Sequence, residues 1–169
     1  MKAISFEQTQ GLFRTEKGNL FFLFLLALVV RLIALDRIYL ISRDGIHYVS
    51  LAQLYWSGSF FEGLAHPFHP LYPAIMGLVG GIIGDFELAG KLISLTLSCL
   101  TIIPLYLIGR SFYDSKVGFI GGLLFIFQPY CVRFSVDVLS DSTFLFFFVF
   151  SLYLGLKALR EEKNNIWWS

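Results

Sequence analysis

An all-α, polytopic membrane protein is the fold class this sequence predicts, and two observations carry the prediction. Apolar residues make up 56% of the 169 positions and charged residues only 15%, where a soluble domain carries about 25% charged residues. A mean hydropathy of +0.70 is concentrated in runs long enough to cross a hydrocarbon core of roughly 30 Å. A chain this short has too much surface per unit volume to bury its apolar side chains in a core of its own, so lipid must act as part of the solvent. Soluble and disordered classes are excluded. A net charge of +1 offers no basic field for nucleic acid. Cys99 and Cys131 fall inside apolar runs and read as small packing residues rather than as a disulfide or metal ligands.

The elements follow in order. Leu20 to about Tyr39 is a spanning helix; the competing reading, a signal peptide, lacks a small-x-small cleavage site, since Arg31, Leu32 and Ile33 follow the apolar stretch. Asp44 to Trp56 is an amphipathic helix lying along the membrane surface, with Tyr48, Leu51, Ala52 and Tyr55 on one stripe. Pro70 to Ile83 is apolar but too short to span and reads as a re-entrant or interfacial helix. Leu88 to Gly109 spans despite Pro104, Val117 to about Arg133 spans, and Thr143 to Leu159 is the fourth span. Asp85 and Glu87 charge and cap the second span. The spacings Gly77/Gly81, Gly80/Gly84 and Gly118/Gly122 suit close helix packing rather than phosphate binding.

Charge placement orients these elements, because cytoplasmic flanks collect Lys and Arg. With four spans, the inside holds eight (Lys2, Arg14, Lys17, Arg110, Lys116, Lys157, Arg160, Lys163) and the outside four (Arg37, Arg43, Lys91, Arg133). Were Pro70 to Ile83 also to cross, the bias would reverse to five against seven. The expected organisation is therefore a single membrane domain: a cytoplasmic tail at 1–19, a first outer loop at 42–87, a second outer loop at 134–142 and a cytoplasmic tail at 160–169.

This topology brings several chemistry-bearing residues to the outer face. Asp44 can take a proton from an acceptor hydroxyl, or it can cap the surface helix. His66-Pro67 and His69-Pro70, followed by Tyr72, can hydrogen-bond a phosphate or a sugar; the plainer reading is a turn with interfacial histidines. Asp137 and Asp141, four apart, share a face if helical, and Arg133 lies beside them; a solvated loop with Asp141 as a helix cap is the alternative. Arg31 within the first span faces the bundle interior or snorkels outward, with a phosphate headgroup or Asp36 as its partner. Two histidines three apart do not make a metal site without further ligands. No cofactor is predicted, and a divalent metal requirement is left open.

The order of these residues resembles the amino-terminal third of GT-C glycosyltransferases, in the branch that includes protein mannosyltransferases and bacterial sugar transferases of similar architecture. The likeness rests on Asp44-x-x-x-Tyr48-x-x-x-Ala52, His69-Pro70-Leu71-Tyr72-Pro73, Gly84-Asp85-Phe86-Glu87, Gly109-Arg110-Ser111-Phe112-Tyr113 and Pro129 to Ser135. It implies an inverting transferase that moves a sugar from a polyprenyl-phosphate donor to a lipid, glycan or protein acceptor outside the cytoplasm, in a prokaryotic inner membrane. It implies Asp44 as general base, Asp141 and Asp137 holding the acceptor or the base, and His69 in the same cavity, with His66 an extra copy. Arg31, Tyr48, Tyr72 and Arg133 complete the expected substrate-binding set. Members of that family have many more spans, so the expectation is an amino-terminal piece of a longer or split transferase. The rival reading is a small non-catalytic membrane module, an assembly partner or transport subunit, in which Asp44 and Asp141 are caps.

Overall fold

The computed structural model describes residues 16–38 and 40–166, with side chains to Glu161. Most of the tail expected at 1–19, and the end of the one expected at 160–169, lie outside the described residues. The described residues form helices and connecting loops without a strand: α1 (Glu16–Leu35), α2 (Arg43–Trp56), α3 (Phe60–Leu64), α4 (Leu71–Ile83), α5 (Phe86–Phe112), α6 (Ser115–Phe127), α7 (Pro129–Phe134) and α8 (Asp141–Ile166).

Three of these helices are long and apolar enough to cross a membrane: α1, α5 and residues Asp141–Glu161 of α8. The third expected span, Val117 to about Arg133, is not one helix. It is divided at Gln128, whose ψ of 117° is extended, because Pro129 has no amide to donate and forces the residue before it out of the helical region. The Gln128 side chain then caps α7 by accepting from the Cys131 amide at 2.7 Å. The broken segment still runs the length of α5. Gly118, near its start, lies against the Tyr106 carbonyl and Arg110, and Val138, just beyond its end, lies against Gly90.

Two apolar clusters organise the bundle. Leu23 and Ala27 of α1, Leu95, Cys99, Ile102 and Tyr106 of α5 and Ile126 of α6 form the core between the long helices. Tyr48 and Ala52 of α2, Tyr72 and Met76 of α4 and Val138 form a second core at one end. The helix α4, thirteen residues or about 20 Å, packs between α2 and α5 and is too short to cross, as its sequence predicts. Its glycines allow this close approach: a Cβ on Gly77 would sit 2.8 Å from the Ala52 carbonyl oxygen. Gly84 ends the helix in the left-handed conformation, φ 85°, and Asp85 starts the next by accepting from the Leu88 amide at 3.0 Å. Phe144, Phe147, Phe148 and Leu154 of α8 are exposed, an apolar face suited to lipid contact.

Candidate active site

The site is built where the start of α2 meets the loop before α8. Ser42 is the cap of α2: its side chain accepts from the Gly45 amide at 3.2 Å. Asp44 is therefore not the cap that the alternative reading required. It sits exposed in the first turn, where the positive helix end favours a carboxylate, and no hydrogen bond or ion pair engages it among the described residues.

Asp137 plays a different part. It is 6% exposed, and its Oδ1 accepts from the Ser42 amide at 3.1 Å and the Val138 amide at 2.8 Å. Of the two readings of Asp137 and Asp141, the shared helical face does not form, because residues 135–140 are a loop and α8 begins only at Asp141. Asp137 faces inward to clasp α2, while Asp141 is exposed in the first turn of α8. The α8 first turn is closed by the Phe144 amide donating to the Ser140 carbonyl at 2.8 Å.

Tyr48 ties the two loops together. Its hydroxyl lies 2.8 Å from Ser140 Oγ, and its ring stands edge-on to Phe68 and Tyr72 at 5.0 Å in each case. Burial raises the Tyr48 phenol above its ordinary value; the Ser140 hydrogen bond opposes the rise, and the Asp141 and Asp44 carboxylates add to it. Both acids thus bear on one phenol. Beneath it, the Tyr72 hydroxyl reaches the Gly90 carbonyl at 3.1 Å and Ser94 Oγ at 2.9 Å, and Ser94 Oγ reaches the Leu139 carbonyl at 3.1 Å. The Tyr72 phenol is raised as well, chiefly by burial. Tyr72 is therefore a buried strut under the site rather than a group open to substrate.

The histidines separate. His66 is half-buried against Phe68, ring centroids 5.2 Å apart, whereas His69 is exposed and joins no ring stack among the described residues. Sequence reasoning missed His47, which lies 5.5 Å from the Phe68 ring and 6.0 Å from the His66 ring. Its signal was its place one turn after Asp44 on the polar side of an amphipathic helix.

The arginines are not gathered at Tyr48. Arg31 is fully buried; its Nε donates to Ser98 Oγ at 2.9 Å and its guanidinium lies 5.3 Å from the centre of the Phe125 ring. Ser98 is one turn along α5 from Ser94, so Arg31 lies about 6 Å deeper than the Tyr72 network. Its Nη2 has no partner among the described residues, and Asp36, exposed beyond α1, does not pair with it. Arg133 is exposed on α7 and, with Arg37, Val30 and Ala34, lines a cavity of about 430 Å3 between α1 and the α6–α7 break.

A profile of the family described as dolichyl-phosphate-mannose-protein mannosyltransferase matches residues 65–169. The chain belongs to that family. Neither a curated protein nor a solved structure matches it. As a member of the dolichyl-phosphate-mannose-protein mannosyltransferase family it is an integral membrane glycosyltransferase of the GT-C class that uses a polyprenyl-phosphate-linked sugar donor. The matched stretch includes both His-Pro elements, Tyr72, Arg133, Asp137 and Asp141, and begins after α2, so Arg31, Asp44 and Tyr48 lie ahead of it. Among the described residues, no three His, Cys, Asp or Glu side chains group closely enough to hold a metal ion.

Proposed function

We propose that this mannosyltransferase-family chain carries the acceptor-activating end of the transferase, with Asp44 as general base. The observation that supports this reading is that Asp44 is not needed to hold the fold. Ser42 caps its helix, while Asp44 and Asp141 both act on the Tyr48 phenol. In the reaction, Asp44 accepts the proton of the acceptor hydroxyl as that oxygen attacks the anomeric carbon of the donor sugar. The bond from that carbon to the phosphate oxygen breaks with inversion. The polyprenyl phosphate leaves without needing a proton, because its acid is strong. Asp141 holds the acceptor, Tyr48 stays protonated and donates or accepts hydrogen bonds at the floor of the site, and Asp137 positions α2. His66, His69 and Arg133 meet the sugar or phosphate at the rim. Arg31, deeper in the bundle, stabilises the developing phosphate charge through the field of its guanidinium. The site opens on the outer face of a prokaryotic inner membrane.

Transfer from a polyprenyl-phosphate sugar by the natural protein in proteoliposomes tests the assignment. Asp44→Asn is expected to lose about 10²- to 10⁴-fold in rate while the helical content and thermal midpoint stay within experimental scatter. Ser42→Ala is expected to do the reverse, losing about 1 kcal/mol of stability and keeping most activity. Near wild-type transfer by Asp44→Asn would remove the base assignment.

A further inference from the structure

At the end of the bundle opposite Asp44, α5 and α8 diverge around a cavity of about 410 Å3 lined by Arg110, Lys157 and Arg160 together with Tyr113, Tyr153 and Leu107. Three cations around one hollow are an expensive arrangement at a membrane edge unless an anion is shared between them. Internal pairing is only partial. Arg110 meets Glu16 at 2.5 Å, Lys157 lies 3.8 Å from Glu161, and Arg160 has no ion pair among the described residues.

The hollow does not stop at the charged rim. A second, wholly apolar slot of about 140 Å3 continues along the same seam between α5 and α8, lined by Pro104, Phe146 and Phe150 and sharing Leu107 and Tyr153 with the first. Pro104 helps to create it: a proline inside α5 removes one backbone hydrogen bond and leaves its ring where a fuller side chain would otherwise pack. A basic, tyrosine-flanked rim opening into an apolar slot between two spanning helices has the shape and polarity of one lipid, phosphate outward and acyl chain inward.

We propose that this seam is a binding site for an anionic glycerophospholipid of the leaflet opposite the active site. Lys157 and Arg160 hold the headgroup phosphate, Arg110 shares its charge between that phosphate and Glu16, and one acyl chain lies along Pro104, Phe146 and Phe150. The lipid would staple α8 to α5, and so hold Ser140 and Asp141 at the far end of α8 in register with α2.

Thermal unfolding of the full chain in a mild neutral detergent, titrated with single lipids, tests this. Dioleoylphosphatidylglycerol should raise the midpoint saturably, whereas dioleoylphosphatidylcholine and inorganic phosphate should not. Lys157→Gln with Arg160→Gln, both on exposed positions, should weaken the phosphatidylglycerol effect about 25-fold in apparent affinity, on the order of fivefold per cation removed. Lys157→Arg should restore binding when Arg160 is intact. Ile103 also lines the slot and is partly exposed, so Ile103→Trp should fill it and abolish the effect with all three cations in place. Equal stabilisation by phosphatidylcholine, or an undiminished effect in the double Gln variant, would overturn the proposal. Stronger stabilisation by a polyprenyl monophosphate than by phosphatidylglycerol would also overturn it, by showing that the seam takes the transferase's own carrier lipid.

Discussion

The Tyr48 hydroxyl and Ser140 Oγ meet at 2.8 Å across 92 positions of sequence. This one contact joins the helix that carries Asp44 to the residue that immediately precedes Asp141. Each acid stands on a first helical turn, exposed and without a hydrogen bond or ion pair among the described residues, and the Tyr48 phenol is buried and bonded. Tyr48, Ser140 and the inward-facing Asp137 hold the two loops together, whereas Asp44 and Asp141 are left exposed; a buried, paired carboxylate such as Asp137 would have to break its bonds before accepting a proton.

The phenols give the site an alkaline limit. Tyr48 and Tyr72 are both raised above the ordinary value of 10.0, chiefly by burial. Since each phenol keeps its proton in the folded state where the unfolded one would lose it, their contribution to stability is fully present below about pH 10 and is lost as pH rises through the raised values. Tyrosinate absorbance followed beside helical content should show these two groups ionising only as the second core unravels, and Tyr72→Phe should shift that loss to higher pH. Ionisation of all tyrosines together, with helicity unchanged, would contradict the burial argument.

Asp137 should prove a structural carboxylate. Asp137→Ala would leave the Ser42 and Val138 amides without their acceptor, at a cost of at least about 2 kcal/mol. Asp137→Asn keeps one acceptor oxygen and should cost about half as much. In activity assays both should follow stability, recovering at lower temperature, in contrast to Asp44→Asn. An Asp137→Asn protein of normal stability and no activity would move Asp137 into the reacting set.

The orientation follows from the end of the bundle that collects cations. Arg110, Lys157 and Arg160 meet at one end, and the candidate acids at the other, so the first end is expected in the cytoplasm. Cysteines introduced at Ser57 and Lys116, both exposed, report on the two ends. An impermeant thiol reagent added outside should modify Ser57→Cys and spare Lys116→Cys, and the reverse pattern would invert the topology.

Much of this was legible in local sequence. The apolar run of α1, the stripe of Tyr48, Leu51, Ala52 and Tyr55 on α2 and the cap at Asp85 are each written within a few residues, whereas Gly84, read with Gly80 as a packing pair, instead ends α4 with open space around it. The break at Gln128–Pro129 was equally local, but the apolar run around it masked the proline. His47 was missed because a lone polar residue on a polar helix face carries no pattern.

What the sequence by itself determined is the solvent, the helices and their ends, since hydropathy, periodicity and capping act over a turn or two of chain. The tertiary structure alone decided which acid is held and which is left open. Asp137 and Asp141 are alike in sequence, yet one is buried under Ser42, 95 residues away, and the other is left at the surface. It likewise decided that Arg31 meets Ser98, 67 residues on, rather than Asp36 five residues away. Contacts at such separations are chosen by how whole helices pack, which no local pattern specifies.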